Sequence, residues 1–137
     1  MYYNRLCKKI ADFFLKGIIP MTLTELYDKI GGNLTEVIAR FGNEARINRF
    51  LPMFLKDPSY TDLEKSIAAK DWKTAFRAAH TLKGVAANMS FTKLYAAASD
   101  LTEALRPGKP LEDYELFFKV SENYLLTSTA VSEYNSQ

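Results

Sequence analysis

Histidine and cysteine are almost missing from this sequence: its 137 residues hold one of each, His80 and Cys7. A lone cysteine excludes a disulfide within the chain, and one His with one Cys cannot supply the usual ligand set of a metal site. Cys7 reads as a small apolar residue, not a reactive thiol. Glycine and proline are sparse too, at 6 and 5, and they fall where helices would break. No apolar run approaches the ~20 residues needed to span a bilayer. No stretch alternates strictly between apolar and polar residues, which leaves β-structure little support. Net charge is also small. Lys and Arg number 18 against 16 Asp and Glu, giving +2, so nucleic acid is not the expected partner. Neither usual Gly-rich phosphate loop is present, and neither is an α/β pattern ending in an acidic pocket.

What remains is a chain of ordinary composition, 47% hydrophobic and 25% charged. Its length suits one domain with a single core. Residues 1–20 read as a basic amphipathic extension with Leu6, Ile10 and Phe13 on one face. Lys8, Lys9, Asp12 and Lys16 interrupt the apolar stretch that a secretion signal would need, so the chain is expected in the cytoplasm. The extension carries several aromatics, which favours an added helix packed on the end of the bundle over a docking or membrane-surface element.

Residues 21–137 read as the main domain. Thr22 or Thr24 caps a short helix to about Ile30, and Gly31–Gly32 ends it. Asn33 caps a helix over 34–41. A third helix over 44–56 carries Ile47, Phe50, Leu51, Phe54 and Leu55 as its apolar stripe, with a kink expected at Pro52. After the Asp57-Pro58 turn come helices over 60–69, 72–88 (capped by Asp71), 92–105 and 111–131. The loop 107–110 separates the last two, and the polar tail is expected to fray. Successive helices with short connections point to an all-α, antiparallel bundle.

The helix over 72–88 carries the chemistry. At about 3.6 residues per turn, Trp72, Ala75, Ala79, Leu82, Ala86 and Met89 form one apolar stripe. Lys73, Phe76, Arg77, His80, Lys83, Gly84 and Ala87 fall on another face. The only histidine is therefore expected to point outward, mid-helix, among bases. A neutral imidazole is a nucleophile near physiological pH. Lys83, one turn on, can offset negative charge on a phosphoryl group held by the ring. Gly84 removes the side chain nearest the imidazole; in a helix interior it costs ~1 kcal/mol relative to alanine, and close approach of a partner would offset that cost. Phe76 lies outside the apolar stripe and is either a docking anchor or the edge of the core. Each residue alone has a bland reading: a surface histidine, a solvated lysine, a packing glycine.

The run Ala79-His80-Thr81-Leu82-Lys83-Gly84-Val85-Ala86-Ala87-Asn88-Met89 resembles the A-H-x-L-K-G signature of histidine phosphotransfer (HPt) domains. The likeness extends to Leu63–Ala69, Lys70-Asp71-Trp72, Phe91–Arg106 and, further upstream, Asn33–Lys56, so it covers about residues 22–106. It implies a four-helix bundle with additional N-terminal helices. It implies His80 as the phospho-accepting residue, with Lys83 and Gly84 as its supporting neighbours. Asn88 and Arg106 stand where a hydrogen bond and a second basic residue could serve the site, and Lys73, Arg77, Phe76 and Ala87 complete the expected binding face. It also implies receiver domains, and a hybrid histidine kinase, as partners of a monomeric phosphocarrier. That carrier has no ATP-binding domain and needs no cofactor or metal, since Mg²⁺ belongs to the receiver. Ser90 departs from the pattern, because the family usually has glycine at that turn. Its hydroxyl is expected to cap the next helix. Two other readings stay open: a helical module that binds a receiver or kinase without transfer, and a detached phosphoacceptor domain of a chemotaxis-type kinase.

Overall fold

A computed structural model describes residues 20–137. The extension and Cys7 therefore lie almost wholly outside the described residues. Within them the chain is helical throughout, without strands: α1 (Leu23–Ile30), α2 (Leu34–Phe41), α3 (Glu44–Lys56), α4 (Ser59–Ala68), α5 (Trp72–Asn88), α6 (Thr92–Ala104) and α7 (Glu115–Asn135). None is long and apolar enough to cross a membrane.

The helix starts follow from local chemistry. The first backbone N–H groups of a helix lack intrahelical acceptors, and short polar side chains supply them. Thr22 accepts from the Glu25 N–H, Asn33 from Glu36, Asn43 from Arg46 and Asp71 from Thr74. Gly31 at φ 67° ends α1 in the left-handed conformation that glycine adopts without a Cβ clash. Helix α3 runs on through Pro52 as one element.

Three-residue connections fold α4 back on α5 and α5 back on α6, so these packed neighbours run antiparallel. Helix α7 packs on α6, α3 and α1. Its direction is set at both ends of α3: Tyr134 bonds Asn48, while Tyr124 meets Phe54 with ring centroids 5.7 Å apart. The result is a helical bundle with α1 and α2 added at one end.

On α5 the buried positions are Ala75, Ala78, Ala79, Leu82 and Ala86. The four alanines among them let α4 and α6 come close. Leu63, Leu94, Leu101 and Phe91 close the core around them, all essentially inaccessible. Phe91 also meets Phe54 edge-on at 5.0 Å, and Tyr60 stacks on Tyr124 at 4.0 Å.

Four expectations shift. Trp72 is half-buried at the edge of the core and Ala78 takes a core position. Phe50 is 38% exposed and rests on Phe41, centroids 5.0 Å apart, off the buried stripe of α3. The last helix begins at Glu115, not near 111: Leu111 is buried while still in the loop, so its apolar character reflects core packing and not helix. The tail does not fray at Val131, because α7 continues to Asn135, where Tyr134 and Glu133 hold Asn48 and Lys29.

Candidate functional site

Because the buried residues of α5 occupy the opposite side, His80 is exposed, halfway along the helix. Gly84, one turn on, is exposed as well, and a Cβ built there would meet nothing within 4 Å. This removes the reading of Gly84 as a packing glycine between close helices. The backbone beside the imidazole faces open space.

Two cations rest on aromatic rings, one reached through Phe76 a turn before His80 and one carried by Lys83 a turn after it. On the N-terminal side, the Phe76 ring lies 6.1 Å from the His80 ring, and the Arg106 guanidinium lies 5.7 Å over Phe76. Arg106 also pairs with Glu103 at 3.5 Å. On the C-terminal side, the Lys83 ammonium lies 5.9 Å over the ring of Tyr95 on α6. Such contacts are worth ~0.5–1 kcal/mol at exposed sites, weak enough to exchange for a phosphoryl oxygen. Phe76 is half-buried against the core, so it is at once the core's edge and part of the imidazole's surroundings.

The remaining candidates divide between the flanks. Lys73 is exposed at the start of α5, beside Gly108 of the loop. Arg77 lies on the other flank, lining a groove with Asp57, Asp62 and Thr81, apart from the Phe76–Arg106 pair. Asn88 is exposed on the rim of a second groove of about 450 Å³, formed with Phe41, Phe50, Met53 and Val85. Its side chain makes no hydrogen bond among the described residues; its carbonyl accepts from Arg40. Ala87 is half-buried, and its carbonyl also accepts from Arg40.

The end of α5 is held by a set of contacts that sequence reasoning missed, around a serine to which it gave another role. Ser90 stands at φ 55°, in the left-handed region where glycine is the easier residue. Its hydroxyl does not cap α6, whose start has no side-chain cap. Instead it donates to the Glu36 carboxylate at 2.8 Å and accepts from the Arg40 guanidinium at 2.8 Å. Arg40 further donates to the carbonyls of Ala87 and Asn88, at 3.0 and 2.9 Å, and pairs with Glu36. The Ser90 hydroxyl first, and Arg40 second, hold the Glu36 carboxyl below its ordinary value. The Tyr27 hydroxyl donates to the Met89 carbonyl at 2.7 Å, and burial pushes this phenol's pKa up. A cation over the last carbonyls of a helix satisfies orphan acceptors and suits the dipole. Apart from the Arg40–Glu36 pair, which is four residues apart, these contacts join residues 47 or more positions apart, so no local pattern signals them.

A sequence profile of the Hpt domain matches residues 58–128, just over half of the chain and all of α4, α5 and α6. The chain therefore belongs to the Hpt domain family. Comparison with curated proteins and comparison with solved structures give no match.

Proposed function

We propose that this chain is a phosphorelay intermediate: it takes a phosphoryl group onto His80 from the aspartyl phosphate of one receiver domain and delivers it to the aspartate of another. The observation that carries this reading is an exposed imidazole beside an open backbone position at Gly84, within a chain that belongs to the Hpt family.

The chemistry follows from the groups present. The unprotonated Nε2 of His80 attacks phosphorus in line. The phosphorus–oxygen bond to the aspartyl carboxylate breaks, and the carboxylate leaves with the electron pair. Such a step needs positioning and charge stabilisation more than covalent assistance. Lys83 and Arg106 supply cations whose present partners are aromatic faces and one exposed carboxylate. The divalent ion belongs to the receiver, and this chain needs no cofactor of its own. Helix α5 carries Lys73, Arg77 and Lys83 and no Asp or Glu, which suits an acidic receiver pocket. A hybrid histidine kinase would load the first receiver.

The test is transfer from phosphorylated receivers. His80→Gln is expected to abolish labelling and to leave the helical spectrum and melting temperature near wild type, because the side chain is outside the core. Label retained on the variant would refute the assignment. Lys83→Ala is expected to slow transfer on the order of tenfold, the rate equivalent of ~1.4 kcal/mol. Binding of receivers without any transfer would reduce the chain to a docking module.

A further inference from the structure

We infer that Tyr95 is a positioning residue for phosphoryl transfer, acting through Lys83, one turn along α5 from His80, by holding its ammonium over the Tyr95 ring on α6. The inference rests on the phosphotransfer reading.

Three observations carry it. The Lys83 ammonium lies 5.9 Å over the Tyr95 ring, and among the described residues no carboxylate stands within ion-pair distance of it. The ring is thus the partner the structure gives this cation. Lys83 is half-buried while His80 and Gly84 beside it are exposed, so its stem lies along the protein and not out in solvent. A similar arrangement stands a turn before His80, with Arg106 over Phe76. Two cations each rest on an aromatic face, one turn before and one turn after the nucleophile.

A free lysine has a long stem with many rotamers, and ordering it at the moment of transfer slows the step. A ring that holds the stem removes part of that ordering beforehand. A cation–π contact at an exposed site is weak and leaves the N–H bonds of the ammonium unfixed, so the ammonium can turn to the phosphoryl oxygens without a strong bond being broken. A carboxylate in the same place would neutralise the charge and hold it harder. Tyr95 is 38% exposed, which leaves its replacement little effect on the core.

The experiment uses the full chain and phosphoramidate, a small donor that removes partner docking from the measurement. The phosphorus–nitrogen bond of the donor breaks, a phosphorus–Nε2 bond forms on His80, and ammonia leaves. Phosphohistidine formation is timed for wild type, Tyr95→Leu and Tyr95→Phe, each with and without Lys83→Ala, alongside melting temperatures. Tyr95→Leu is expected to slow labelling about two- to fivefold, the range a weak cation–π contact converts to. Tyr95→Phe, which keeps the ring face, is expected to retain the wild-type rate. In the Lys83→Ala background, Tyr95→Leu is expected to add nothing. The inference is overturned if Tyr95→Leu labels like wild type, if Tyr95→Phe is as slow as Tyr95→Leu, or if Tyr95→Leu slows labelling equally without Lys83. A wild-type chain that takes no phosphoryl group on His80 overturns the phosphotransfer reading and this inference with it.

Discussion

At the scale of single residues, the role proposed for Gly84 sets stability against function. It sits in the interior of α5, where alanine is the better helix former by ~1 kcal/mol, and a methyl group there would touch nothing. Gly84→Ala is therefore expected to raise the melting temperature by a few degrees. It should also weaken receiver docking and slow transfer, because the methyl would stand where a partner approaches the imidazole. Calorimetry and a receiver-transfer assay on one preparation check both halves. A variant that is more stable and equally active would mean that nothing comes close at this position. The outward placement of His80 and Gly84, with Lys83 beside them, was legible in the sequence because all three lie on one helix, where spacing alone sets the face. Arg77 shows the limit of that reasoning. It shares the face by angle, yet the side chain lies over the α4 flank with Asp57 and Asp62. Tyr95 was not legible, since its relation to Lys83 exists only once α6 lies against α5.

At the scale of elements, the clamp on the end of α5 is the least obvious feature. Ser90→Ala keeps the left-handed backbone of the turn and removes two charge-assisted hydrogen bonds. The expected cost is about 1–2 kcal/mol in a denaturant titration. Ser90→Gly removes the same bonds but relieves the positive φ, so it is expected to cost less than Ser90→Ala. The opposite order would show that the positive φ costs little, and a Ser90→Ala variant as stable as wild type would show that the hydroxyl contributes little. Both variants should leave the chemistry at His80 intact, since the clamp lies more than two turns away. The capped helix starts at Thr22, Asn33 and Asp71 could be read from the sequence because the cap and its N–H are three residues apart. The start of α7 could not. Leu111 fills the core from a loop, and an apolar residue next to a helix looks like part of it. Phe50 failed for a similar reason: helical spacing placed it on the stripe of α3, but α2 offers Phe41, at the edge of the core, as its packing partner.

For the whole molecule, the carboxylates set the acid limit of stability. Glu36 is held below its ordinary value by the Ser90 hydroxyl and then Arg40, and Asp71 by the Thr74 hydroxyl and then the Thr74 N–H. A carboxyl depressed in the folded state contributes stability above its unfolded pKa and loses it as pH falls through the folded value. Unfolding free energy is therefore expected to decline as pH drops through and below the usual carboxylate range. The decline should be shallower in Glu36→Gln, as denaturant titrations across that range would show. An identical slope in the variant would place the acid sensitivity elsewhere. The basic face of α5 adds a second expectation at this scale. Receiver transfer should slow with added salt more than labelling by phosphoramidate does, because only the former depends on long-range attraction between proteins. The all-α bundle itself was legible, since short connections between periodic segments leave few other arrangements.

The central claim is that His80 carries the phosphoryl group, and direct mapping of the modified residue tests it most plainly. The chain would be incubated with a phosphorylated receiver, kept alkaline to preserve phosphoramidate bonds, and its phosphorylated peptide sequenced by mass spectrometry. The account predicts a single acid-labile phosphate on His80. An acid-stable phosphate on a serine, threonine or tyrosine, or no modification by receivers that label other members of the family, would contradict it.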